Sequence, residues 1–233
     1  MKWLYASLRL FTIFCFKFFG RLEVRGAEYV PRYGPLIVIS NHLSYNDPPA
    51  LFASTSRILN YLGKIELFSN PYKSFLMRLA KVHPLDRSGS GLGALKTALE
   101  VLSKDGAIVI FPEGRISPSY SMQKAKQGAA FLAIKSQAPI LPIGISGTEK
   151  FPPWRMVLPL QRFRVNIGPP FTPPVLEGKI NKNAIDSVSE LMMNRIAVLL
   201  PEHYRGIYSI RARQGPQSQR SPDVESVASD DDQ

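Results

Sequence analysis

Cysteine is almost absent from this chain, which has a single such residue, Cys15, among 233. One cysteine excludes an internal disulfide and a cysteine-based zinc site, and it agrees with a reducing compartment. Long uncharged runs are also lacking in residues 1–20, where the longest lies between Arg9 and Lys17. That run is far shorter than the ~20 apolar residues that span a bilayer, and no small-residue cleavage site accompanies it. The start of the chain is therefore predicted to be neither a membrane span nor a secretory signal.

Acidic residues are few compared with basic ones, 18 against 29, so the net charge is +11. Residues 211–233 carry three arginines and five acids, which leaves about +13 on the rest of the chain. Such a charge attracts a polyanion or an anionic membrane. The basic residues are dispersed, however, and no aromatic residues alternate with them as in a nucleic-acid stacking surface. The composition favours an anionic membrane surface as partner and no nucleic acid.

Residues 1–20 have the pattern of a basic amphipathic helix. On a helix of about 100° per residue, Lys2, Arg9 and Lys17 fall in one sector and the opposite sector is apolar. The apolar positions are Trp3, Leu4, Leu8, Leu10, Phe11, Phe14, Cys15, Phe18 and Phe19. This pattern favours a helix that lies in a membrane interface. The alternative is a core helix that covers the domain's own sheet.

Residues 21–210 alternate short apolar runs with helical patterns, which predicts one α/β domain with a mostly parallel mixed sheet flanked by helices. Buried or half-exposed strands are predicted at residues 22–24, 36–39, 58–62, 107–111, 139–145 and 162–167. Helices are predicted at residues 47–53, 72–80, 92–104, 125–137 and 185–199. Residues 211–233, rich in Ser, Gln, Pro and Asp, are predicted to form a disordered tail.

A polar stretch follows the strand predicted at residues 36–39, and it reads SNHLSYNDPP over residues 40–49. His42 falls in the turn, and Asp47 with Pro48 is predicted to open the next helix, Asp47 as its N-cap. A carboxylate bound to one ring nitrogen of a histidine fixes the tautomer and stabilises the imidazolium, so the other nitrogen can accept a proton. The pair can turn a hydroxyl group into a nucleophile. Either residue alone is more often a surface histidine or a simple helix cap.

Polar residues also end the strand predicted at residues 107–111, where the chain continues PEGRIS over residues 112–117. Ligands of open α/β sheets bind at the carboxyl edge of the strands. The two strand ends are therefore expected to contribute to one site.

Four blocks of the sequence resemble, in order and spacing, those that characterise the glycerolipid acyltransferases. Residues 41–47 (NHLSYND) resemble the block N-H-x-S-x-x-D, and residues 111–117 (FPEGRIS) resemble F-P-E-G-T-R-S. Residues 64–87 resemble the intervening second block, and residues 138–143 (APILPI) resemble the fourth. The resemblance covers roughly residues 22–148 and is to the lysophosphatidic acid acyltransferase (PlsC-like) group.

This resemblance implies an activity that agrees with the chemistry of the His–Asp pair. His42 would be the general base that deprotonates an acceptor hydroxyl, which attacks the acyl thioester of coenzyme A or acyl carrier protein, and Asp47 would orient His42. The implied acceptor is 1-acylglycerol 3-phosphate and the product phosphatidic acid, a step of phospholipid biosynthesis. The thioester is a co-substrate, and neither a metal nor a cofactor is expected. The implied location is the cytoplasmic face of the cell membrane, with peripheral or monotopic attachment.

Carried over motif by motif, the resemblance also implies substrate-binding residues. Lys64, Arg87 and Arg115 would meet the acceptor phosphate, Arg as a planar fork and Lys as a point charge. Glu113 and Gly114 would shape the turn over the acceptor. Glu113 could accept a hydrogen bond from a glycerol hydroxyl, and its alternative role is to anchor a helix N-terminus. The remaining polar candidates of the blocks are Asn41, Ser44 and Ser117.

The third block departs from the commoner wording, because Arg115 follows Gly114 directly where a threonine usually precedes the arginine. The direction of the Arg115 side chain is therefore open. Acyl transfer also needs a donor for the oxyanion of the tetrahedral intermediate. Asn41 or a backbone N–H of the His42 turn are the candidates.

Other functions have weaker signals. Residues 89–94 (GSGLGA) fit the G-x-G-x-x-A fingerprint of a dinucleotide-binding oxidoreductase, but that fingerprint needs a firm strand before it, and residues 81–87 are predicted to be a poor one. Residues 144–148 (GISGT) do not complete the serine-hydrolase elbow, because Thr148 replaces its last glycine. A basic membrane- or nucleic-acid-binding module would leave His42 and Asp47 without a role. Among acyltransferases, the acceptor could instead be glycerol 3-phosphate, another lysophospholipid or an aminolipid, since each needs the same base.

Overall fold

The computed structural model describes residues 2–85, 91–149, 162–175 and 180–209, and the structural statements below concern these residues. They form an α/β fold around one seven-stranded sheet. Its strands are β1 (Glu23–Arg25), β2 (Leu36–Ser40), β3 (Leu59–Lys64), β4 (Val82–Leu85), β5 (Ala107–Ile110), β6 (Ile140–Ser146) and β7 (Arg164–Ile167). Its helices are α1 (Lys2–Phe18), α2 (Asp47–Ser54), α3 (Pro71–Leu79), α4 (Leu92–Ser103), α5 (Gln127–Ser136) and α6 (Lys182–Ala197).

The strand order is β1-β7-β6-β2-β5-β3-β4, and every pairing is parallel except that of β6 with β7. The predicted mostly parallel mixed sheet is therefore confirmed. β2, β5 and β6 lie in the interior, which explains why they are apolar without alternation, since both faces of the sheet are covered. Every residue of β2 and β6 is buried.

β4 is a correction to the sequence analysis, which predicted a poor strand at residues 81–87. The strand Val82–Leu85 pairs with β3 alone, as the edge of the sheet. Its Pro84 cannot donate to a strand on either side, and an edge position tolerates that loss. The glycine-rich segment thus follows an edge strand and not the central strand of a nucleotide-binding crevice. Residues 86–90, which include the first two residues of that segment, lie outside the described part of the chain.

The helices cover the two faces of the sheet unequally. α4, α5 and α6 pack on one face, where the core includes Ile37, Ile39, Ile108 and Ile140. α1 and α2 pack on the other face, against a core that includes Val38. The chain leaves β2 through α2 and leaves β5 through α5, so two adjacent strands send their helices to opposite faces. Such a switch point opens a crevice at the carboxyl ends of the two strands.

Helix α1 has two apolar faces, which the sequence analysis did not distinguish. One face joins the core, with Cys15 and Phe16 buried against the sheet and Tyr5 packed edge-on against Phe52 of α2. Arg9, which falls in the basic sector of the predicted helix, donates to the backbone oxygen of Thr55. The opposite face is exposed, and its large apolar residues are Trp3, Leu10, Phe11, Phe14 and Phe18. Among the described residues, no helix combines the length and the hydropathy needed to cross a bilayer.

The predicted division of the chain is only partly covered by the structure. Within the predicted segment 1–20, α1 shares a core cluster with the sheet of the predicted domain 21–210. The predicted tail, residues 211–233, lies outside the described residues.

Candidate active site

The candidate site lies at the switch point between β2 and β5. His42 follows β2 by two residues, and Phe111 follows β5 directly. Lys64 is the last residue of β3, next to β5, and Thr148 follows β6, on the other side of β2. The parallel strands bring all of these segments to one edge of the sheet.

The imidazole of His42 is held by a buried carboxylate. Its Nδ1 lies 2.7 Å from Oδ2 of Asp47, and the Asp47 side chain has no exposed surface. The His42 side chain keeps 15% of its surface exposed. Because Nδ1 faces the carboxylate, Nδ1 carries the proton and Nε2 is left with its lone pair. No described residue contacts Nε2 by a hydrogen bond, so this nitrogen can accept a proton from outside.

Asp47 was predicted to be the N-cap of α2, but it does not occupy that position. Asn46 occupies the N-cap position, and Asp47 is the first residue of α2. The Asp47 carboxylate instead turns back to the preceding loop, where Oδ2 accepts the backbone N–H groups of Leu43 at 2.6 Å and Ser44 at 2.9 Å. Its other oxygen, Oδ1, accepts the hydroxyl of Thr148. Four donors thus hold this carboxylate in one orientation.

Glu113 ties the turns after β2 and β5 together. Its two carboxyl oxygens accept the backbone N–H of His42 at 3.1 Å and that of Gln123 at 3.0 Å. The residue is 2% exposed, and this burial raises the pKa of Glu113 to about 7, although both N–H groups act in the opposite direction. Both oxygens already accept N–H groups of the chain, and neither N–H lies in a helix, so Glu113 joins two loops rather than a loop and a helix N-terminus.

The other polar candidates are also engaged with the chain itself. The side-chain amide of Asn41 exchanges two hydrogen bonds with the backbone of Ile145 in β6. Ser44 Oγ accepts the backbone N–H of Asn46, which tightens the turn before α2. Ser117 donates its backbone N–H to the carbonyl of His42 at 2.8 Å, and its hydroxyl donates to the carbonyl of Ser121. The oxyanion candidates named from the sequence are thus bound to protein groups: Asn41 to β6, and the N–H groups of the His42 turn to Glu113 and Asp47.

Basic residues lie at the same edge but make fewer contacts. Lys64 and Arg115 are exposed, and among the described residues neither forms an ion pair. Arg87 lies outside the described residues. Gly114 adopts the left-handed conformation with φ +69°, and a Cβ there would lie 2.7 Å from Cδ of Lys126 and 3.2 Å from its Nζ. Gly114 therefore makes room for the Lys126 side chain over the turn.

Three residues of this edge were not selected from the sequence as parts of the site. Phe111 stacks on the imidazole of His42, with ring centroids 4.0 Å apart and an interplanar angle of 16°. Lys126 covers Gly114, and Thr148 binds Asp47. Phe111 could have been selected as the first residue of the third block. No local pattern marks the other two, because their contacts depend on how the sheet is assembled.

Comparisons with known proteins agree on one family. The sequence model of the family described as Acyltransferase matches residues 21–146. The chain is 34% identical over 149 residues to human 1-acyl-sn-glycerol-3-phosphate acyltransferase alpha, covering 62% of this chain and 52% of the relative. It is 32% identical over 138 residues to the 1-acyl-sn-glycerol-3-phosphate acyltransferase of Pseudomonas aeruginosa, covering 57% and 52%.

A solved structure extends the likeness to the fold. The crystal structure of the 1-acyl-sn-glycerophosphate (LPA) acyltransferase PlsC from Thermotoga maritima superposes with a TM-score of 0.68 at 25% identity. The match covers 85% of this chain and 80% of that one. The chain spans about half the length of several curated relatives that it matches. With more than half of its residues matched by the family model, the chain belongs to the acyltransferase family.

Proposed function

We propose that this protein transfers a fatty acyl group from acyl-coenzyme A or acyl carrier protein to the free hydroxyl of 1-acylglycerol 3-phosphate, giving phosphatidic acid. The observation that carries the proposal is the imidazole of His42, bound through Nδ1 to the buried Asp47 and open at Nε2. The relatives are named as 1-acyl-sn-glycerol-3-phosphate acyltransferases, which supports this choice of acceptor.

The geometry supports a direct transfer. Nε2 of His42 takes the proton of the acceptor hydroxyl as its oxygen attacks the thioester carbonyl, so that a C–O bond forms. The carbonyl then re-forms, the C–S bond breaks, and the imidazolium returns its proton to the leaving thiolate. Asp47 stays ionised throughout and stabilises the imidazolium. In this proposal Lys64, Arg87 and Arg115 bind the acceptor phosphate.

The proposed membrane attachment uses the exposed face of α1. Trp3, Phe14 and Phe18 are 70%, 56% and 70% exposed. The chain that follows α1 lies at the catalytic edge of the sheet. The backbone oxygen of Gly20 accepts the N–H of Phe163, and the next residue, Arg164, pairs with Ser146 at the end of β6. A helix seated there in the interface of an anionic membrane would place the site beside its lipid substrates. We accordingly place the enzyme on the cytoplasmic face of the cell membrane, attached without spanning it.

Thiol release from two donors, an acyl-coenzyme A and an acyl carrier protein thioester, tests the activity. The acceptor panel is 1-acylglycerol 3-phosphate, glycerol 3-phosphate, a lysophosphatidylcholine and an aminolipid. We expect release only with 1-acylglycerol 3-phosphate, and a loss of about 10²–10⁴-fold in His42→Ala. The matched control is His203→Ala, which removes an exposed histidine and should keep full activity. Acyl transfer retained by His42→Ala would defeat the mechanism, and another preferred acceptor would replace the proposed one.

Sedimentation with phosphatidylcholine vesicles, with and without an anionic lipid, tests the attachment. Deleting residues 1–20 is not a clean test, because the core would lose Tyr5, Cys15 and Phe16. The double variant Phe14→Ser/Phe18→Ser changes the exposed face alone, and we expect its partition to vesicles to fall about tenfold or more. The control is Tyr33→Ser, which removes an aromatic residue that is 86% exposed in the loop before β2. Equal binding of the double variant and the control would mean that another surface makes the attachment.

A further inference from the structure

Thr148 lies behind the His–Asp pair, on the side of β2 away from Arg115 and Lys64. It is fully buried, and its hydroxyl donates to Oδ1 of Asp47. The two residues are separated by 101 positions in the sequence, and β6 brings them together. A buried hydroxyl group almost always donates a hydrogen bond. Thr148 donates its one hydrogen bond to the carboxylate of Asp47.

The loop that carries Thr148 is fixed on both sides. Gly147 has φ +90°, and a Cβ there would lie 2.3 Å from the backbone oxygen of Arg162, so only glycine fits the turn that aims Thr148 inward. On the other side, the carboxylate of Glu149 accepts the phenol of Tyr204 at 2.7 Å. The residues on both sides of Thr148 are thereby held by contacts with the rest of the fold.

We propose that Thr148 is a positioning residue for the acyl transfer, which orients the Asp47 carboxylate and, through it, the imidazole of His42. The inference rests on the proposed function of that pair. Oδ2 of Asp47 faces three donors on one side, His42 Nδ1 and two backbone N–H groups. Oδ1 has the Thr148 hydroxyl, which fixes the plane of the carboxylate so that Oδ2 stays directed at Nδ1.

The hydroxyl also sets how strongly the carboxylate holds the imidazolium. A hydrogen bond to a carboxylate stabilises its charge and makes it a weaker base. Without the hydroxyl, Asp47 would be a stronger base, the protonated form of His42 would persist to higher pH, and less free base would be available. The acid limb of the pH–rate profile would therefore move upward.

Other charged groups lie near His42 and Asp47 and could also affect the pH–rate profile, so the variants compared must all retain them. Glu113 binds the backbone of His42 from the β5 side, with its pKa raised by burial to about 7 and Arg115 near it. Glu149 adjoins Thr148 and is bound to Tyr204. A comparison of Thr148 variants leaves these groups in place, so their contribution is the same in each profile.

Substitution by Val removes the hydroxyl and keeps the shape of Thr148, and substitution by Ser keeps the hydroxyl. The control is Thr55→Val, because Thr55 is also buried and donates its hydroxyl to a backbone carbonyl, that of Leu51 within α2. We expect Thr148→Val to lower kcat about tenfold at unchanged acceptor KM, and to move the acid limb of kcat/KM upward by about 0.5 pH unit. Thr148→Ser should restore most of both, and Thr55→Val should match the wild type.

NMR titration of the His42 ring gives a readout that does not depend on turnover, and the chain has only three histidines to assign. We expect the titration midpoint of His42 to move upward in Thr148→Val and not in Thr148→Ser. If the Val variant does not fold, Thr148→Ala removes the hydroxyl without a second branch, and the same shift is expected. An unchanged midpoint and kcat in the hydroxyl-free variant would overturn the role of Thr148, as would a Ser variant as impaired as Val. If His42→Ala stayed active, the proposed function would fail while the titration still decided the role of Thr148.

Discussion

Replacing Glu113 by Gln is expected to change how the stability of this protein depends on pH. Burial raises the pKa of Glu113 from 4.5 to about 7, so the folded state favours the protonated acid. For a raised pKa, the contribution to stability is fully present below the pKa of the unfolded chain. It is lost as the pH rises through the pKa of the folded state. The window for Glu113 therefore runs from about pH 4.5 to just above pH 7.

The size of the effect follows from the shift. At about 1.4 kcal/mol per pKa unit, the move from 4.5 to about 7 corresponds to roughly 3 kcal/mol of unfolding free energy. Most of it, about 2.5 kcal/mol, falls between pH 5 and pH 8. Gln does not ionise, but its single oxygen cannot accept hydrogen bonds from the backbone N–H groups of both His42 and Gln123. The N–H left without an acceptor should lower the unfolding free energy of the variant by about 1–3 kcal/mol at acid pH. This difference from the wild type should shrink or change sign by pH 8.

Urea unfolding of both proteins in the same zwitterionic detergent, from pH 5 to pH 8.5, measures this difference. Other titrating groups cancel when the free energy of the variant is subtracted from that of the wild type. The control is Glu28→Gln, an exposed carboxylate whose substitution should leave the difference flat. A difference for Glu113→Gln that also stays flat would refute the burial argument and mean that Glu113 is ionised over the whole range.

Two further substitutions test the surroundings of His42. Gly114→Ala should lower the unfolding free energy by about 1–2 kcal/mol because of the left-handed φ alone. The overlap of the new Cβ with Lys126 should lower it further, and this second contribution should disappear when Lys126 is also replaced by Ala. Strictly additive unfolding free energies in that double-mutant cycle would contradict the overlap. Phe111→Leu removes the flat face stacked on the imidazole of His42, and we expect kcat to fall up to tenfold without a rise in acceptor KM, since aromatic pairs are worth about 0.5–1.5 kcal/mol. An unchanged kcat would mean that the stack does not orient the ring.

The interior of the fold could be predicted because its signals are local. β2, β5 and β6 are continuous apolar runs, and each ends in polar residues where a parallel sheet places its ligands. The proximity of His42 to Asp47 is also local, since five positions and one turn separate them.

The parts that escaped prediction depend on what the chain packs against. β4 is too short and too polar to signal a strand, and it exists because β3 offers it an edge. α1 showed one apolar sector in a helical projection, but the sheet takes Cys15 and Phe16 and leaves the aromatic residues of the other side exposed. Contacts such as that between Asn41 and Ile145 join residues 104 positions apart. No residue pattern within one segment contains them.

The order of the strands divides the neighbours of His42 into two groups with different tasks. On the β6 side, two hydrogen bonds position the residues around His42. The hydroxyl of Thr148 donates to Asp47, and the backbone of Ile145 in β6 accepts from Asn41. Two described basic residues lie on the opposite side: Arg115 after β5, one strand from β2, and Lys64 at the end of β3, two strands away. Neighbouring strands are about 4.8 Å apart, so an acceptor whose hydroxyl lies at Nε2 and whose phosphate extends over β5 meets Arg115 before Lys64. Arg115→Ala should therefore raise the KM for 1-acylglycerol 3-phosphate more than Lys64→Ala does, and the reverse order in steady-state kinetics would place the phosphate farther along the sheet.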